Sequence, residues 1–501
     1  MRCIHGLLLT RMFQFDDIEQ DVLEILHLIR SWRNTVVPIS KIPPEILFLV
    51  PDFWDADGRD EDVIALTHVC RTWREVFTSR PSLWTYLKPY LMSKDKTRVY
   101  LDRSKSSPIS LALHRHGTRS REAYSLDPRI IPQVIGRLRY LFIEGKAEHI
   151  QAITAHLSGP APLLEDLSIL NSSQHWHTKL AYTLFNGDLS SLRKLHLDSV
   201  RTNLPWRNMV NLTSFTLTNT PPGGIPVIQL LDFFESAPHL SEIGLYSVTP
   251  TSGAQKGRLV SLTCLKRMEI DDSGPPSIFL DHLLIPVGAE LVLDADSLDS
   301  LVGDFFPRSL DNLRNLSNFT TIKLAIDGLS PRMTFSGPNG RVSVTPTASP
   351  VDRTSSVLEL LAQLDTSKTE RLRIDYGNPL SRDVIFRALL PLKELRVLML
   401  YRCDSTHIFF GVLHPSSGSP DVVICPKLEE LVLVHCGGGE VFDMKGVVRM
   451  AEVRASRGRK LETLVIVDWR SKSYPEDMSE LRKYVGHVEY GPPAGELGGE
   501  W

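Results

Sequence analysis

The fold is indicated most clearly by two stretches of the chain, Leu395-Arg-Val-Leu-Met-Leu-Tyr-Arg-Cys403 and Leu428-Glu-Glu-Leu-Val-Leu-Val-His-Cys436. In each, apolar residues occupy the first, fourth and sixth positions, and cysteine occupies the ninth. Alternation of apolar residues over such a short stretch predicts a strand that buries one of its faces. One unit of this kind leaves that face bare until a neighbour stacks on it, so the pattern predicts a continuous array of units.

The same phrase, apolar-x-x-apolar-x-apolar, returns from about Gly136 onward. In the early copies the first positions are spaced 20 to 28 residues apart, which is typical of a strand followed by a helical or irregular return segment. Residues 227–234 are one predicted return helix. Complete copies begin at Leu138, Leu164, Leu192, Leu212, Leu240, Leu265, Phe319, Leu395, Leu428 and Leu461, and partial copies cover Leu291 to Leu293 and Leu372 to Ile374.

The repeats resemble leucine-rich repeats, whose pattern permits Asn or Cys three residues after the last apolar position. Cys403 and Cys436 stand at that position, where a side chain can satisfy backbone groups of the turn. The resemblance implies a leucine-rich-repeat-like solenoid with a curved parallel sheet over residues 137–490. About ten strands spaced 4.7–4.9 Å apart would line a face on the order of 45 Å long, which is the size of a protein surface.

Two parts of this region depart from the repeat. Between residues 328 and 356 the phrase lapses, and Pro338-Asn-Gly340 predicts a hairpin followed by a loose linker, an excursion from the array. Residues 491–501 are rich in glycine and proline and predict a disordered tail.

The first 37 residues predict an amphipathic helix at 15–33, with acidic residues early and arginines late, as the helix dipole favours. We expect this helix to pack onto the next segment, with short self-association as the alternative. Its apolar stripe consists of Ile18, Val22, Ile25, Leu26, Ile29 and Trp32.

Residues 38–90 predict a module of three short helices. Pro43 and Pro44 favour one helix start and Pro81 favours another, while a longer helix is expected from Asp62 to about Phe77. So few residues cannot bury this much apolar surface among themselves, so the module needs a partner protein or the neighbouring domain. Periodicity alone leaves both open. Residues 91–136 are expected to be a linker and first cap region.

Three blocks in this module resemble the F-box motif: Ile42-Pro-Pro-Glu-Ile-Leu47, Val69-Cys-Arg-Thr-Trp-Arg74 and Pro81-Ser-Leu-Trp84. The resemblance implies docking onto the adaptor subunit of SCF ubiquitin ligases, the Skp family, through an apolar helical face. Pro51 departs from the pattern, because the family usually continues its first helix with an apolar residue there. The adaptor-binding residues that the resemblance implies are Ile42, Pro43, Ile46, Leu47, Val50, Leu66, Val69, Cys70, Trp73 and Trp84.

Composition narrows the classes of partner. The formal net charge is -3, from 56 basic and 59 acidic residues, which argues against nucleic acid as a partner. Six scattered cysteines without a CxxC pair are typical of proteins that keep their thiols reduced in the cytoplasm or the nucleus. We expect no signal peptide and no membrane span, because the apolar runs are too short.

The sequence contains no pattern that predicts a catalytic or metal-binding site. The chain has no phosphate-binding glycine loop, no nucleophile elbow and no HExxH motif. His175-Trp-His177, the set of Cys425, His435 and Cys436, and Asp294-Ala-Asp296 each lack the ligands of a metal site. The basic run at 114–121 predicts a solvated linker. We therefore expect no catalytic residue, no cofactor and no metal.

These observations predict an α/β protein that acts as the substrate-recognition subunit of an SCF-type ubiquitin ligase and is not an enzyme. The adaptor would bind the F-box helices, and an unknown target protein would bind the repeats. The chain is expected to be a monomer within that complex. The alternative is a leucine-rich-repeat scaffold in which the helices form an N-terminal cap without a ligase link.

Overall fold

The chain has a mixed α/β fold with a large, mostly parallel sheet, and it divides into two compact units, Met1–Ile143 and Glu144–Trp501. The computed structural model describes residues 2–50, 59–114, 130–172, 178–179, 184–201, 208–220, 223–251, 257–271, 273–295, 305–316, 319–327, 330–338, 340–346, 361, 364–376, 381–403, 406–414, 423–436, 442–467 and 475–491.

The first unit is mainly helical. The described residues of this unit form three strands: β1 pairs with β2 in parallel, and β2 pairs in turn with β3. The helices are α1 (Arg2–Val36), α2 (Pro44–Leu47), α3 (Arg59–Thr67), α4 (Arg71–Thr78), α5 (Lys94–Ser104) and α6 (Ile131–Val134), with 3-10 turns at Pro38–Lys41, Pro81–Trp84 and Ile135–Arg137. The strands are β1 (Tyr86–Leu87), β2 (Ile109–His114) and β3 (Leu138–Gly145), which crosses the boundary between the units.

The helix expected from Asp62 to Phe77 is wrong, because the chain breaks into α3 and α4. Cys70 precedes α4 in an extended conformation, with φ -158° and ψ 177°. The Thr67 hydroxyl turns back and donates to the Ile64 carbonyl at 2.7 Å. Arg74 then donates to the Thr67 carbonyl at 3.0 Å and holds the break. The last turn of α3 thus finds side-chain partners for its carbonyls, which ends the helix.

Helix α1 is longer than the predicted 15–33 and extends from Arg2 to Val36. The expected packing of its apolar stripe onto the next segment is wrong, since Ile18, Val22, Ile25 and Ile29 are all exposed. By contrast, α2 begins at Pro44 as the prolines predict.

The second unit alternates strands with return segments. Its strands are β4 (Asp166–Asn171), β5 (Thr178–Lys179), β6 (Lys194–Asp198), β7 (Val200–Arg201), β8 (Ser214–Thr218), β9 (Ile225–Pro226), β10 (Glu242–Tyr246), β11 (Pro250–Thr251), β12 (Val260–Ser261), β13 (Arg267–Asp271), β14 (Leu283–Leu284), β15 (Glu290–Ala295), β16 (Thr321–Asp327), β17 (Ser330–Gly337), β18 (Gly340–Pro346), β19 (Arg371–Tyr376), β20 (Val397–Tyr401), β21 (Glu430–Val434), β22 (Leu461–Val467) and β23 (Val485–Gly491). Its helices are α7 (Ala147–Thr154), α8 (Val227–Ser236), α9 (Ser277–Leu280), α10 (Arg382–Leu389), α11 (Thr406–Leu413), α12 (Met444–Ser456) and α13 (Pro475–Tyr484), with 3-10 turns at Leu184–Gly187, Leu310–Asn312 and Arg314–Leu316.

Fourteen of the described strands of this unit pair side by side. Their order is β4, β6, β8, β10, β13, β15, β18, β17, β16, β19, β20, β21, β22 and β23. All pairs in this series are parallel except the two made by β17. The short strands form separate parallel ladders of β5 with β7, β9 with β11 and β12 with β14.

The repeated phrase sets the register of the sheet. Leu195 lies opposite Phe215, and Phe215 lies opposite Ile243 on its other side. Later in the chain, Leu398 pairs with Leu431. All five side chains are buried. Matching positions of successive units thus form one continuous apolar row, because parallel strands in register place equivalent side chains on the same face.

A hairpin interrupts the parallel series. Strands β17 and β18 are antiparallel and turn between Gly337 and Gly340, where the sequence predicts a hairpin. Its strands are not an excursion, however, because β18 pairs with β15 and β16 pairs with β19. Val342 and Val344 continue the buried apolar row and make this possible. Residues 347–356 of the predicted excursion and residues 492–501 of the predicted tail lie outside the described residues, whereas Gly491, the first residue of that predicted tail, ends β23.

Return segments cover the apolar row of the sheet. The return predicted at 227–234 is helix α8, which buries Phe233 and Phe234. The Phe215 ring lies 4.6 Å from the Phe233 ring and 6.3 Å from the Phe234 ring, measured between centroids. Such tilted and edge-on aromatic pairs add to the free energy of apolar burial.

Candidate functional site

The helical module of the first unit has a small core of its own. Helices α2 and α3 both pack against α4. The buried side chains of this core come from all three helices, and partly buried residues surround them. The core consists of Leu47, Leu66, Trp73, Val76 and Phe77, surrounded by Ile42, Phe48, Cys70 and Leu83. The module thus forms a core within its own chain.

Trp84 closes the module from the side of the 3-10 turn. Its side chain is fully buried, and its indole nitrogen donates to the Phe77 carbonyl at 3.0 Å. The Tyr100 ring meets it edge-on at 4.9 Å, and the Arg103 guanidinium lies 4.4 Å from the Trp84 ring centroid. A buried tryptophan with its donor satisfied, an aromatic neighbour and a cation over its ring is a structural anchor.

Apolar side chains remain exposed beside this core. Ile46 is 53% exposed, Leu49 is 49% exposed and Val69 is 48% exposed. Pro43 is exposed as well. Leu49 is absent from the predicted set, although it lies in the apolar block that includes Leu47. A group of exposed apolar residues next to a closed core is typical of a protein-binding surface.

The ten residues predicted to bind the adaptor therefore fall into three classes of burial. Those that are buried contribute to the module's own packing, and those that are exposed are available to a partner. Leu47, Leu66, Trp73 and Trp84 are buried, Ile42, Val50 and Cys70 are partly buried, and Pro43, Ile46 and Val69 are exposed. Pro51, the predicted departure from the motif, lies outside the described residues.

The second candidate surface is the sheet face opposite the apolar row. At its centre Lys323 lies directly opposite Arg373 in the neighbouring strand. Burial, together with the positive charges of Arg373, Arg341 and Arg332, lowers the pKa of Lys323, and Asp375 opposes this effect. Among the described residues, Lys323, Arg332 and Arg341 form no salt bridge. This face therefore has a positive centre.

An ionic group lies on β10, β13 and β15 of the same face. Arg267 contacts Glu290 at 2.7 Å and Glu269 at 3.2 Å. Tyr246 lies beside this group, and burial first, then the nearby Glu269 carboxylate, raises the pKa of Tyr246 to about 12. These side chains neutralise one another, whereas Lys323, Arg332 and Arg341 have no salt bridge within the described part of the chain.

Beyond the basic centre, the face becomes apolar. Met399, Val432, Val434 and Val467 are buried together, with Tyr401 and Val465 packed against them. The pattern predicts strands that bury one face, but β20, β21 and the end of β22 also bury residues that lie between the apolar positions.

The border of this apolar cluster is charged. Arg402 donates to both oxygens of Asp375, at 3.1 and 3.2 Å. The guanidinium groups of Arg373 and Arg402 each lie 5.1 Å from the centroid of the Tyr401 ring. Cation–π contacts and a bidentate carboxylate pair thus fix the orientation of these side chains.

The cysteines that end the two repeat phrases bond to backbone carbonyls. Cys403 Sγ lies 3.6 Å from the Ile374 carbonyl oxygen, and Cys436 Sγ lies 3.3 Å from the Leu400 carbonyl oxygen. Ser273 makes the equivalent bond to the Leu245 carbonyl at 3.0 Å. Ser273 stands three residues after the last apolar position of its own copy, where the repeat pattern predicts only Asn or Cys.

The groups weighed as metal sites have other roles where the structure describes them. Burial raises the pKa of Cys425 to about 12, and its thiol lies 3.7 Å from the Leu389 carbonyl oxygen. The buried Arg454 donates to the Cys425 carbonyl at 2.9 Å. Within the described part of the chain, no group of three or more His, Cys, Asp or Glu side chains has a metal-site arrangement. The His175–His177 run and the basic residues after His114 fall outside that part.

No protein-family model and no curated protein sequence matches this chain. Of the helices in the described residues, none combines the length and the apolar character needed to cross a membrane.

Proposed function

We propose that this protein is the substrate-recognition subunit of an SCF-type ubiquitin ligase. Its F-box helices hold the Skp-family adaptor, and its leucine-rich-repeat-like solenoid holds a target protein. The mechanism is proximity, because the chain brings acceptor lysines of the target near a ubiquitin-loaded partner and supplies no catalytic group.

One observation carries the adaptor half of the proposal. Ile46, Leu49 and Val69 are exposed beside a closed core, and Ile46 and Val69 belong to the blocks that resemble the F-box motif. Covering these side chains removes apolar surface from water without any rearrangement of the core, which favours association. The buried Leu47, Leu66 and Trp73 hold the exposed residues in position.

The target half rests on the polar face of the sheet. Its basic centre at Lys323, Arg332, Arg341 and Arg373 is flanked by a neutralised ionic group and by a buried apolar cluster. Charge complementarity then favours targets that present carboxylates to this centre. The neighbouring β strands supply a rigid base for such contacts.

Co-purification of the full chain with a Skp-family adaptor tests the adaptor half. Replacing both Ile46→Asp and Val69→Asp places unpaired charges in the interface, and adaptor binding is expected to weaken at least about tenfold. Both residues are exposed, so the module keeps its fold. Leu47→Asp is unsuitable, since Leu47 is 1% exposed and its change would break the core.

Thr72→Asp and Ser82→Asp are the matched controls. Both residues are exposed on the same module and neither contributes apolar surface, so adaptor binding is expected to remain. Equal binding by the double variant and the native chain would reject this surface as the adaptor site.

A binding scaffold without a ligase link is the second candidate. The closed core of Leu47, Leu66, Trp73, Val76 and Phe77 favours it, because helices with a core of their own can serve a structural role without an adaptor. Failure of the native chain to retain any Skp-family adaptor would select this candidate.

A further inference from the structure

Helix α1 exposes a long apolar stripe. Ile18, Val22, Ile25 and Ile29 are each between 53% and 58% exposed, and Val36 is 71% exposed. Together with Trp32, these residues follow one another at intervals of 4, 3, 4, 3 and 4. That spacing keeps the side chains on one seam of the helix and is the pattern of paired helices that bury a and d positions.

The opposite face of α1 turns toward its own unit. Glu24, His27, Ser31 and Asn34 line a groove together with the start of α4 at Cys70. The α1 side of this groove is mainly polar, with Leu28 as its apolar member, and no residue of the apolar seam lies in its lining. Ile18, Val22, Ile25 and Ile29 of the seam are exposed and therefore accessible to another helix.

The distribution of charge along α1 indicates which helix would pack on the apolar seam. Residues 16–24 contain five acidic residues and no basic residue, whereas residues 25–36 contain two arginines and no acidic residue. A second α1 in the antiparallel direction places the acidic half of each helix beside the basic half of the other. We propose that α1 pairs antiparallel with α1 of a second copy of this chain.

The seam fixes the register of this pair. With Ile25 opposite Ile29 of the second copy, Val22 meets Trp32 and Ile18 meets Val36. In the same register Glu19 lies beside Arg33 of the second copy at both ends. A parallel pair offers neither residue an opposite charge, since position 19 then neighbours Gln14 and position 33 neighbours Leu28. The expected monomer is thereby replaced by a dimer, independently of any adaptor or target.

Light scattering during gel filtration of the full chain tests the pairing. The native chain is expected at twice its single-chain mass of 56.4 kDa. Ile25→Asp buries a charge in the seam and is expected to return the mass to that of one chain. Gln20→Asp adds the same carboxylate to the polar side of the same helix and is the matched control, which stays dimeric.

Charge reversal tests the direction of the pair without touching the apolar seam. Glu19→Arg opposes Arg33 of the second copy at both ends and is expected to weaken dimerisation, with the dissociation constant rising about tenfold. Adding Arg33→Glu to the same chain restores opposite charges and is expected to restore dimerisation. Sedimentation equilibrium measures both constants.

Several results would overturn the proposal. A native chain of single mass at its highest soluble concentration excludes the pair, as does a trimer or a tetramer. An unchanged dimer in Ile25→Asp excludes the seam, and equal dissociation constants for Glu19→Arg and the native chain exclude the antiparallel direction. None of these measurements involves the adaptor, so the dimer and the ligase function stand or fall separately.

Discussion

Single side chains at the ends of the strands satisfy the backbone between successive repeats. The single hydroxyl proton of Ser273 is shared between the Leu245 carbonyl of the preceding strand at 3.0 Å and the Asp271 carbonyl at 2.8 Å, and its oxygen accepts from the Val248 N–H at 2.9 Å. Cys403 and Cys436 reach back to the preceding strand in the same way. Because these backbone groups are away from water, an unmet donor or acceptor there costs free energy. The position is therefore selected for hydrogen bonding rather than for apolar packing.

Ser273→Ala is expected to lower the free energy of unfolding by about 2–3 kcal/mol, since it leaves the Val248 N–H and the Leu245 carbonyl without their partner. Ser273→Cys is expected to cost less, because cysteine fills this position in two other repeats. Urea unfolding measures both variants. The exposed Ser261→Ala is the control and is expected to change stability by less than about 0.5 kcal/mol. An equally small change for Ser273→Ala would refute the role of this hydroxyl.

Individual strands differ in how far their polar face is covered. On β6, the His196 side chain is partly buried, and burial lowers the pKa of His196, while the Asp198 carboxylate opposes that shift. Burial together with nearby arginines also lowers the pKa of His414 at the end of α11. In both elements the folded protein favours the neutral imidazole.

This preference of the folded protein for the neutral imidazole makes the free energy of unfolding depend on pH. In the unfolded chain His196 takes up a proton near pH 6.5, whereas in the folded protein it does so only at a lower pH. Below about pH 6.5 the unfolded state therefore binds more protons than the folded state, so the free energy of unfolding falls as the pH drops. His196→Gln removes this contribution and is expected to flatten the fall between about pH 7 and pH 5. Urea unfolding across that range measures it, with the exposed His239→Gln as control. An identical slope in His196→Gln and the native chain would contradict the prediction.

At the scale of the whole molecule, the hairpin of β17 and β18 joins two runs of parallel strands in the second unit. On one side of the junction β18 pairs with β15, and on the other side β16, the strand before the hairpin, pairs with β19. Val342 is fully buried at this junction, opposite Leu291 on one side and Phe335 on the other. The stability of such an array depends on the interfaces between neighbouring strands and return segments. We therefore expect the packing at this junction to determine whether both runs unfold together.

Val342→Asp is expected to lower the free energy of unfolding by more than about 3 kcal/mol, because it buries an unpaired charge at the junction. Hydrogen exchange is expected to rise in β15 and β19 alike. Ser343→Asp, one residue later on the polar face, is the control and should leave exchange in both strands near the native rate. Faster exchange confined to β18 would show that the junction does not couple the two runs.

The resemblance to the F-box motif placed Ile46 and Leu47 together in one interface, but only the packing of α2 on α4 separated them into an exposed and a buried residue. The break at Cys70 was equally hidden, because it depends on Arg74 reaching the Thr67 carbonyl. Both outcomes arise from contacts between helices, which the spacing of apolar residues within one helix does not encode.

The sequence by itself determined the strands and the buried row of the repeats, because strand periodicity is a local property of the backbone and each copy carries its own phrase. Tertiary structure alone decided that the hairpin continues the sheet and that Lys323 faces Arg373, fifty residues further along the chain. It also decided that the apolar seam of α1 lies outside the groove between α1 and the start of α4. Which distant segments become neighbours depends on the packing of the whole unit, and no short stretch of sequence contains that information.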